Sequence, residues 1–370
     1  MKIVFKMILG ILALIVLFVV GVIIFTKTAP QFGATITEKK AAELSRSPNY
    51  DGKTFQNLVE TNMDMGLKEI PDLLWAYSQT KNTTPKTKIP TQWEGGVKGD
   101  TSIYATWYGH SAILLEMAGK KIFFDPMLGG ASSPVPFLTK RFPYESPIPI
   151  SELPALDAVI ISHDHYDHLD YTTILQIKDK TKHFYTGLGV GEHLKKWGVP
   201  ASKVTEMDWY ESADFEGLEI IATPARHFSG RSFTDRNATQ WASWIVKSAE
   251  NAIYFSGDSG YSPHFKEIGE KYGPFDLAFV ECGQYNQRWG NIHMFPEQTV
   301  QAGLDVGAKV AMPIHWGAFN LALHDWRDSI TRAIKAANDK PIDMIYPVVG
   351  YRFDVKGDLP QKVWWPEMTD

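Results

Sequence analysis

The chain has 370 residues, 44% of them hydrophobic, and its 42 acidic against 37 basic side chains give a formal net charge of −5. That length can bury a sizeable core, and a mildly acidic chain with no block of Lys and Arg excludes nucleic-acid binding driven by charge. Cys282 is the single cysteine, which excludes an internal disulfide; within Leu277-Ala-Phe-Val-Glu-Cys282 it reads as a buried strand residue.

Residues 7–25 come first: uncharged, rich in Leu, Ile, Val and Phe, and long enough at about 1.5 Å per residue to cross roughly 30 Å of hydrocarbon. A cleaved secretory signal has a shorter apolar region and a small-residue cleavage site, a pattern broken here by Lys27, Ala29 and Pro30. An uncleaved membrane anchor over 1–26 is therefore expected. Lys2 and Lys6 precede the run and only Lys27 follows it closely, so the positive-inside bias leaves the short N-terminus in the cytoplasm and puts the rest outside, the periplasm in a bacterium.

Residues 27–98 read as a linker and helical cap. The polar stretch 26–49 predicts one short helix over Glu38–Leu44, and 55–80 spaces Leu58, Met63, Met65, Ile70, Leu74, Trp75 and Tyr77 at helical intervals. These are packing residues, with an acyl-chain groove as the alternative use of soft Met and aromatic surface. The chemistry falls in 99–356, with 357–370 as a tail.

Ala112-Ile-Leu-Leu-Glu-Met117, a turn over 118–121 and Ile122-Phe-Phe124, ending at Asp125-Pro126, predict a β-hairpin. A strand over 158–161 and helices over 171–178, 191–197, 297–304 and 326–337 follow. Strands interleaved with helices predict an α/β fold of two sheets packed face to face, with helices outside.

Four apolar runs end directly on histidine or aspartate. Asp157-Ala-Val-Ile-Ile-Ser162 opens into His163-Asp-His165-Tyr-Asp167-His168; Leu218 to Arg226 delivers His227; Ala252 to Gly257 delivers Asp258; Lys309 to Ile314 delivers His315. Imidazole nitrogens and carboxylate oxygens are the ligands that divalent metals such as zinc accept. His163 and His165, one residue apart, can point to the same side of an extended segment. One ion could take that pair and a second Asp167 and His168, with His227 and His315 supplying one ligand apiece and Asp258 bridging through its two oxygens.

This pattern, together with Trp107-Tyr-Gly-His-Ser111, Phe255-Ser-Gly-Asp-Ser-Gly-Tyr261, Gly273-Pro-Phe-Asp-Leu277 and Ile314-His-Trp-Gly317, resembles the metallo-β-lactamase fold hydrolases. Within them it is most similar to the N-acylphosphatidylethanolamine-hydrolysing phospholipase D group and its bacterial relatives. The resemblance runs from about residue 103 to 353 and implies a metallo-β-lactamase-like αβ/βα four-layer sandwich. It further implies two zinc ions per chain, one on His163, His165 and His227, the other on Asp167, His168 and His315, bridged by Asp258. The implied reaction is hydrolysis of a phospholipid such as N-acylphosphatidylethanolamine to phosphatidic acid and N-acylethanolamine by a metal-bridging hydroxide, and a homodimer is a further implication. A lactonase or cyclic-phosphate hydrolase of the same fold is the alternative activity. A non-catalytic metal-binding scaffold is weighed against by the presence of all seven ligand types.

Asp167, Asp258 and His293 carry the expected catalytic roles. His293, in Asn291-Ile-His-Met-Phe-Pro296, matches a histidine of the resembling group and would meet the phosphate or the leaving group; hydrogen bonding to the backbone is its plainer role. His110 orients a ligand or is structural. His183, His193, His264 and His324 read as surface residues, and Asp164 and Tyr166 as non-ligating.

Overall fold

The computed structural model describes residues 2–63, 66–93 and 103–365; Met65, the boundary at 98/99 and the end of the 357–370 tail lie outside them. The first helix, α1 (Lys2–Thr28), is long and apolar enough to cross a membrane, and none of its residues is buried. The short helix expected next is α2 (Glu38–Leu44), begun by Thr37, whose side chain accepts from the Lys40 N–H. Helical spacing over 55–80 yields only α3 (Ile70–Gln79) and a 3-10 turn at Leu67–Glu69. Residues 55–63 instead run without helix, and at their start the Phe55 N–H is taken by Asn237 O (2.8 Å).

Two seven-stranded sheets form among the described residues. The first contains β1 (Tyr104–Trp107), β2 (Ile113–Met117), β3 (Lys120–Phe124), β4 (Leu156–Ile161), β5 (Thr181–Gly187) and β6 (Val204–Met207), in that order. The second contains β7 (Ser212–Phe215), β8 (Leu218–Thr223), β9 (Ser243–Lys247), β10 (Ala252–Phe255), β11 (Phe275–Glu281), β12 (Ala308–Ile314) and β13 (Asp343–Met344), also in order. The last strand, β14 (Arg352–Asp354), returns to pair with β1. Each sheet begins as an antiparallel meander and finishes parallel, from β3 in the first and from β10 in the second. The β2–β3 turn is tighter than the four residues expected: Ala118 and Gly119 alone make it, both at positive φ (51° and 72°), as a two-residue turn matched to strand twist requires.

Alternation along the strands sorts the core into layers. Ile122, Phe124, Ala158 and Ile160 face Ile253, Phe255, Leu277 and Phe279 between the sheets, with Phe124 stacked on Phe255 at 4.7 Å between ring centroids. The intervening Phe123, Val159 and Ile161 point the other way, onto α4 (Tyr171–Ile177) and α5 (Gly191–Lys196). Tyr254, Ala278 and Val280 likewise meet α6 (His264–Tyr272), α7 (Pro296–Asp305) and α8 (Asp328–Ala337). Period-two burial on both faces is what a sheet covered by helices on its far side demands, and the result is the metallo-β-lactamase-like α/β two-sheet fold. Helix α6 was not expected, since its nine residues bury only His264, Phe265 and Ile268.

The segment before β1 is packed against this body. Phe32 and Leu44 are buried, and Tyr50 and Phe55 join the core between the sheets. Lys40 pairs with Glu206 on β6 at 2.5 Å, and Arg46 with Glu211 at 2.7 Å.

Candidate metal centre

Parallel strands leave their C-terminal ends at one rim, and in open α/β sheets the crevice beyond those ends is where ligands bind. His163 follows β4, His227 follows β8, Asp258 follows β10 and His315 follows β12. The structure brings all seven side chains of the sequence pattern together. His163, His165 and His227 form one group and Asp167, His168 and His315, with His110, another, the facing atoms of each lying within 4.8 Å of one another. Between them, Asp258 Oδ2 stands 3.0 Å from His315 Nε2, 3.1 Å from His168 Nε2, 3.8 Å from His227 Nε2 and 3.9 Å from His163 Nε2.

The outward ring nitrogens are held from behind. Asp125, at the end of β3, accepts at Oδ2 from His168 Nδ1 (2.7 Å) and from the Ser162 hydroxyl (2.5 Å), and that hydroxyl lies 2.9 Å from His163 Nδ1. One buried carboxylate thus orients both rings and turns their Nε2 atoms inward. His227 Nδ1 donates to Ile292 O (3.0 Å), and the amide of Asn57 brackets the His227 backbone, donating to its carbonyl at 2.8 Å and accepting from its N–H at 3.1 Å. Glu281, ending β11, places Oε1 3.5 Å from His315 Nδ1 and 3.3 Å from His293 Nδ1. His110 Nε2 is 2.9 Å from Asp167 Oδ2, the contact that an orienting role would use. His110 and His315 are both in the left-handed region (φ 55° and 71°) and are tied to each other's turn, His315 N–H donating to His110 O at 3.0 Å. Such conformations cost about 1–3 kcal/mol each and persist where surroundings over-determine them.

The electrostatics describe a charge that the carboxylates hold among the imidazoles. Burial disfavours charge on His168, yet Asp258, Asp167 and Asp125 lift it to about 10, and His315 is raised well above the usual imidazole range by Asp258 and Asp167 against the same burial. His163 and His227 go well below that range through burial; histidine neighbours add to this for both. Burial alone would raise Asp167 and Asp258, but the adjacent imidazoles hold both carboxyls well below the ordinary range. The donor set fits divalent cations on a further count: Asp258 Oδ1 is buried with no hydrogen-bond partner among the described residues, and an unpaired buried acceptor is costly without a cation beside it.

A cavity of about 800 Å³ opens over this floor, walled by Met63, Phe228, Arg236, Trp289 and Leu321, with His293 at its edge. The His293 ring stacks on His315 at 5.1 Å.

Four histidines read as surface residues are not exposed. His193 is buried, 3.2 Å from Asp164 and accepting from the Ala34 N–H (2.8 Å); His264 is buried against Ser262 and Ser259. His183 and His324 are half-buried, against Thr205 and the Tyr285 ring. Asp164 and Tyr166 do point away from the cluster: Asp164 accepts from Gly230 N–H and Thr239, and Tyr166 donates to Arg231 O. The residues missed by sequence reasoning are Asp125, Glu281 and Asn57. The first two carry the same signal as the ligands, an apolar strand ending on an acid; Asn57 carries none.

Residues 120–316 match the family model described as a beta-lactamase superfamily domain. An uncharacterized protein of Mycobacterium tuberculosis (strain H37Rv) is 38% identical over 345 residues, 91% of this chain and 92% of that protein. N-acyl-phosphatidylethanolamine-hydrolyzing phospholipase D 1 of Caenorhabditis elegans is 32% identical over 256 residues, 65% of this chain and 72% of that protein. A metallo hydrolase of Ignicoccus hospitalis has the same fold, with a TM-score of 0.51 at 22% identity over 68% of this chain and 98% of its own. With its two sheets and the His/Asp clusters at their rim, the chain belongs to the beta-lactamase superfamily, as a relative of its metal-dependent hydrolases.

Proposed function

We propose that the chain is a dizinc phosphodiesterase that cleaves a phospholipid such as N-acylphosphatidylethanolamine on the phospholipase D side, held at the membrane by α1 with its hydrolase body outside the cytoplasm. One observation carries the reading: seven ligand-type side chains turn their free atoms toward one floor, with Asp258 in the middle, beneath a cavity large enough for a headgroup. His163, His165 and His227 would hold one ion, Asp167, His168 and His315 the other, and Asp258 both. Bound there, the ions would supply Lewis-acid stabilisation of phosphoryl charge and acidify water toward neutral pH.

The chain's own residues divide the remaining work. Asp125, Ser162 and His110 fix the ligands in place, so no reorganisation is needed during turnover. Arg236 faces the cavity with its guanidinium 4.3 Å above the Phe228 ring and no carboxylate within salt-bridge range among the described residues, which suits it to a substrate phosphate. His293 lines the cavity with Glu281 3.3 Å from its Nδ1, and would give a proton to the departing ethanolamide oxygen as water adds to phosphorus.

The test is a substrate screen of the full chain in detergent with zinc supplied: N-acylphosphatidylethanolamine against lactones and cyclic nucleotides. Release of N-acylethanolamine and phosphatidic acid is expected; turnover confined to lactones or cyclic phosphates would overturn the reading. R236Q should raise KM for the phospholipid about tenfold, in line with loss of one charged hydrogen bond, and leave KM for an uncharged ester unchanged.

A further inference from the structure

We propose that the body of the protein rests on the bilayer through two loop tips, Phe137-Leu138 and Phe233, which flank the point where α1 enters it. The inference rests on reading α1 as a membrane anchor and adds a second contact, made by the folded body itself.

The connection between helix and body has no slack. The Ala29 N–H still donates to Phe25 O at 2.9 Å, and Pro30–Phe32 forms the next turn. The Phe25 ring meets Phe32 edge-on at 5.3 Å, and the buried Phe32 meets Tyr166, inside the histidine motif, at 6.3 Å. Trp197 closes the same corner by donating from Nε1 to Pro30 O (2.8 Å). A helix embedded as far as Phe25 therefore brings Gln31, six residues on, within at most about 20 Å of the hydrocarbon edge.

Gln31 grips both loops. Its carbonyl accepts from Arg231 Nε (3.0 Å) and Nη2 (2.7 Å), and its side-chain amide donates to Pro134 O (2.9 Å). These are the loops with the exposed rings: Phe233 is 88% exposed, Phe137 72% and Leu138 50%. Phe233 is displayed by a built turn, since Asp235 Oδ1 accepts from the N–H groups of Arg231 (3.1 Å) and Ser232 (2.8 Å). Single exposed apolar residues are ordinary on a soluble surface; two exposed tips gripped by Gln31, three residues past the end of a membrane-length helix, have a lipid surface as their natural neighbour.

The consequence is access. Phe228 and Arg236, which wall the cavity, sit on the same 228–236 stretch as Phe233, so docking these tips brings the cavity mouth to the bilayer. A lipid headgroup could then reach the floor while its chains stay in the membrane.

The experiment uses the full chain in phosphatidylcholine vesicles. Because Cys282 is the sole cysteine and is buried, the variants V16C, F137C, F233C and E250C can each be labelled with an environment-sensitive fluorophore and quenched by lipids spin-labelled on the acyl chain. The labels at 16, 137 and 233 are expected to shift to the blue and lose intensity to the quencher, and that at 250, on the exposed β9–β10 turn, to do neither. A quenched label at 16 beside labels at 137 and 233 that behave like the one at 250 overturns the docking while sparing the anchor. An unquenched label at 16 overturns the anchor and the docking with it.

Discussion

The floor of the cavity and its rim are built on opposite terms. On the floor, the metal-type side chains hang from strand ends, all but His165 and Asp167 buried, with His163, His168 and His227 fixed from behind by Ser162, Asp125 and Ile292. On the loop that carries Phe228 and Arg236 to the cavity wall, Phe233 projects into solvent, and elsewhere α3 leaves Leu74, Trp75 and Tyr77 exposed. On the proposed reading the difference separates two tasks: rigid, desolvated groups fix the chemistry, and exposed apolar groups fix where it is delivered.

Breaking the floor should have the largest effect. D258A removes the carboxylate shared by both groups, and turnover should fall by more than about 10³-fold, as for other residues that act as a unit with their neighbours; steady-state kinetics on the metal-loaded protein checks it. F255A takes away the ring stacked on Phe124 under the floor, and unfolding in detergent should report a loss of about 3–5 kcal/mol. D125N keeps the shape but turns an amide NH2 toward the buried donors of His168 or Ser162, so metal affinity or activity should drop about 10–100-fold, with a loss of about 1–3 kcal/mol in stability.

A smaller effect comes from acid. Burial holds His264 neutral, lowered to about 3, whereas the unfolded chain titrates it near the ordinary value of about 6.5. Its contribution to stability is thus complete above about pH 6.5 and is lost as pH falls toward 3, at up to about 1.4 kcal/mol per pH unit. A melting series from pH 7 to pH 4 should have a shallower slope in H264Q. At the rim, F233S should leave metal content and stability within about 0.5 kcal/mol of the parent, as surface substitutions do; a larger loss would mean that Phe233 packs and the contrast between floor and rim is false.

The same contrast marks what could be read in the sequence. Four apolar runs lead into the floor, a local pattern with a local cause, and so the candidates His163, His165, Asp167, His168, His227, Asp258 and His315 could be picked out before their convergence was seen, as could the two-sheet architecture. Asp125 and Glu281 were within reach on the same rule, and were passed over because an acid at a strand end looks like an ordinary stop. Asn57 was out of reach: it meets His227 across 170 residues, and only the packing of the segment before β1 brings them together. His193 and His264 looked like surface residues because a histidine in a polar helix carries no mark of burial until Asp164 or Phe265 closes over it. Helix α6 escaped notice for a related reason, its apolar face being two hydrophobic residues wide.

The most direct measurement is elemental analysis of the full chain, purified in detergent and dialysed against zinc, alongside D258A and a variant lacking His163 and His165. About two ions per chain are expected in the parent, about one when His163 and His165 are replaced, and fewer than two in D258A. Two ions retained in all three proteins, or none in the parent, would contradict a paired-cation centre on these side chains.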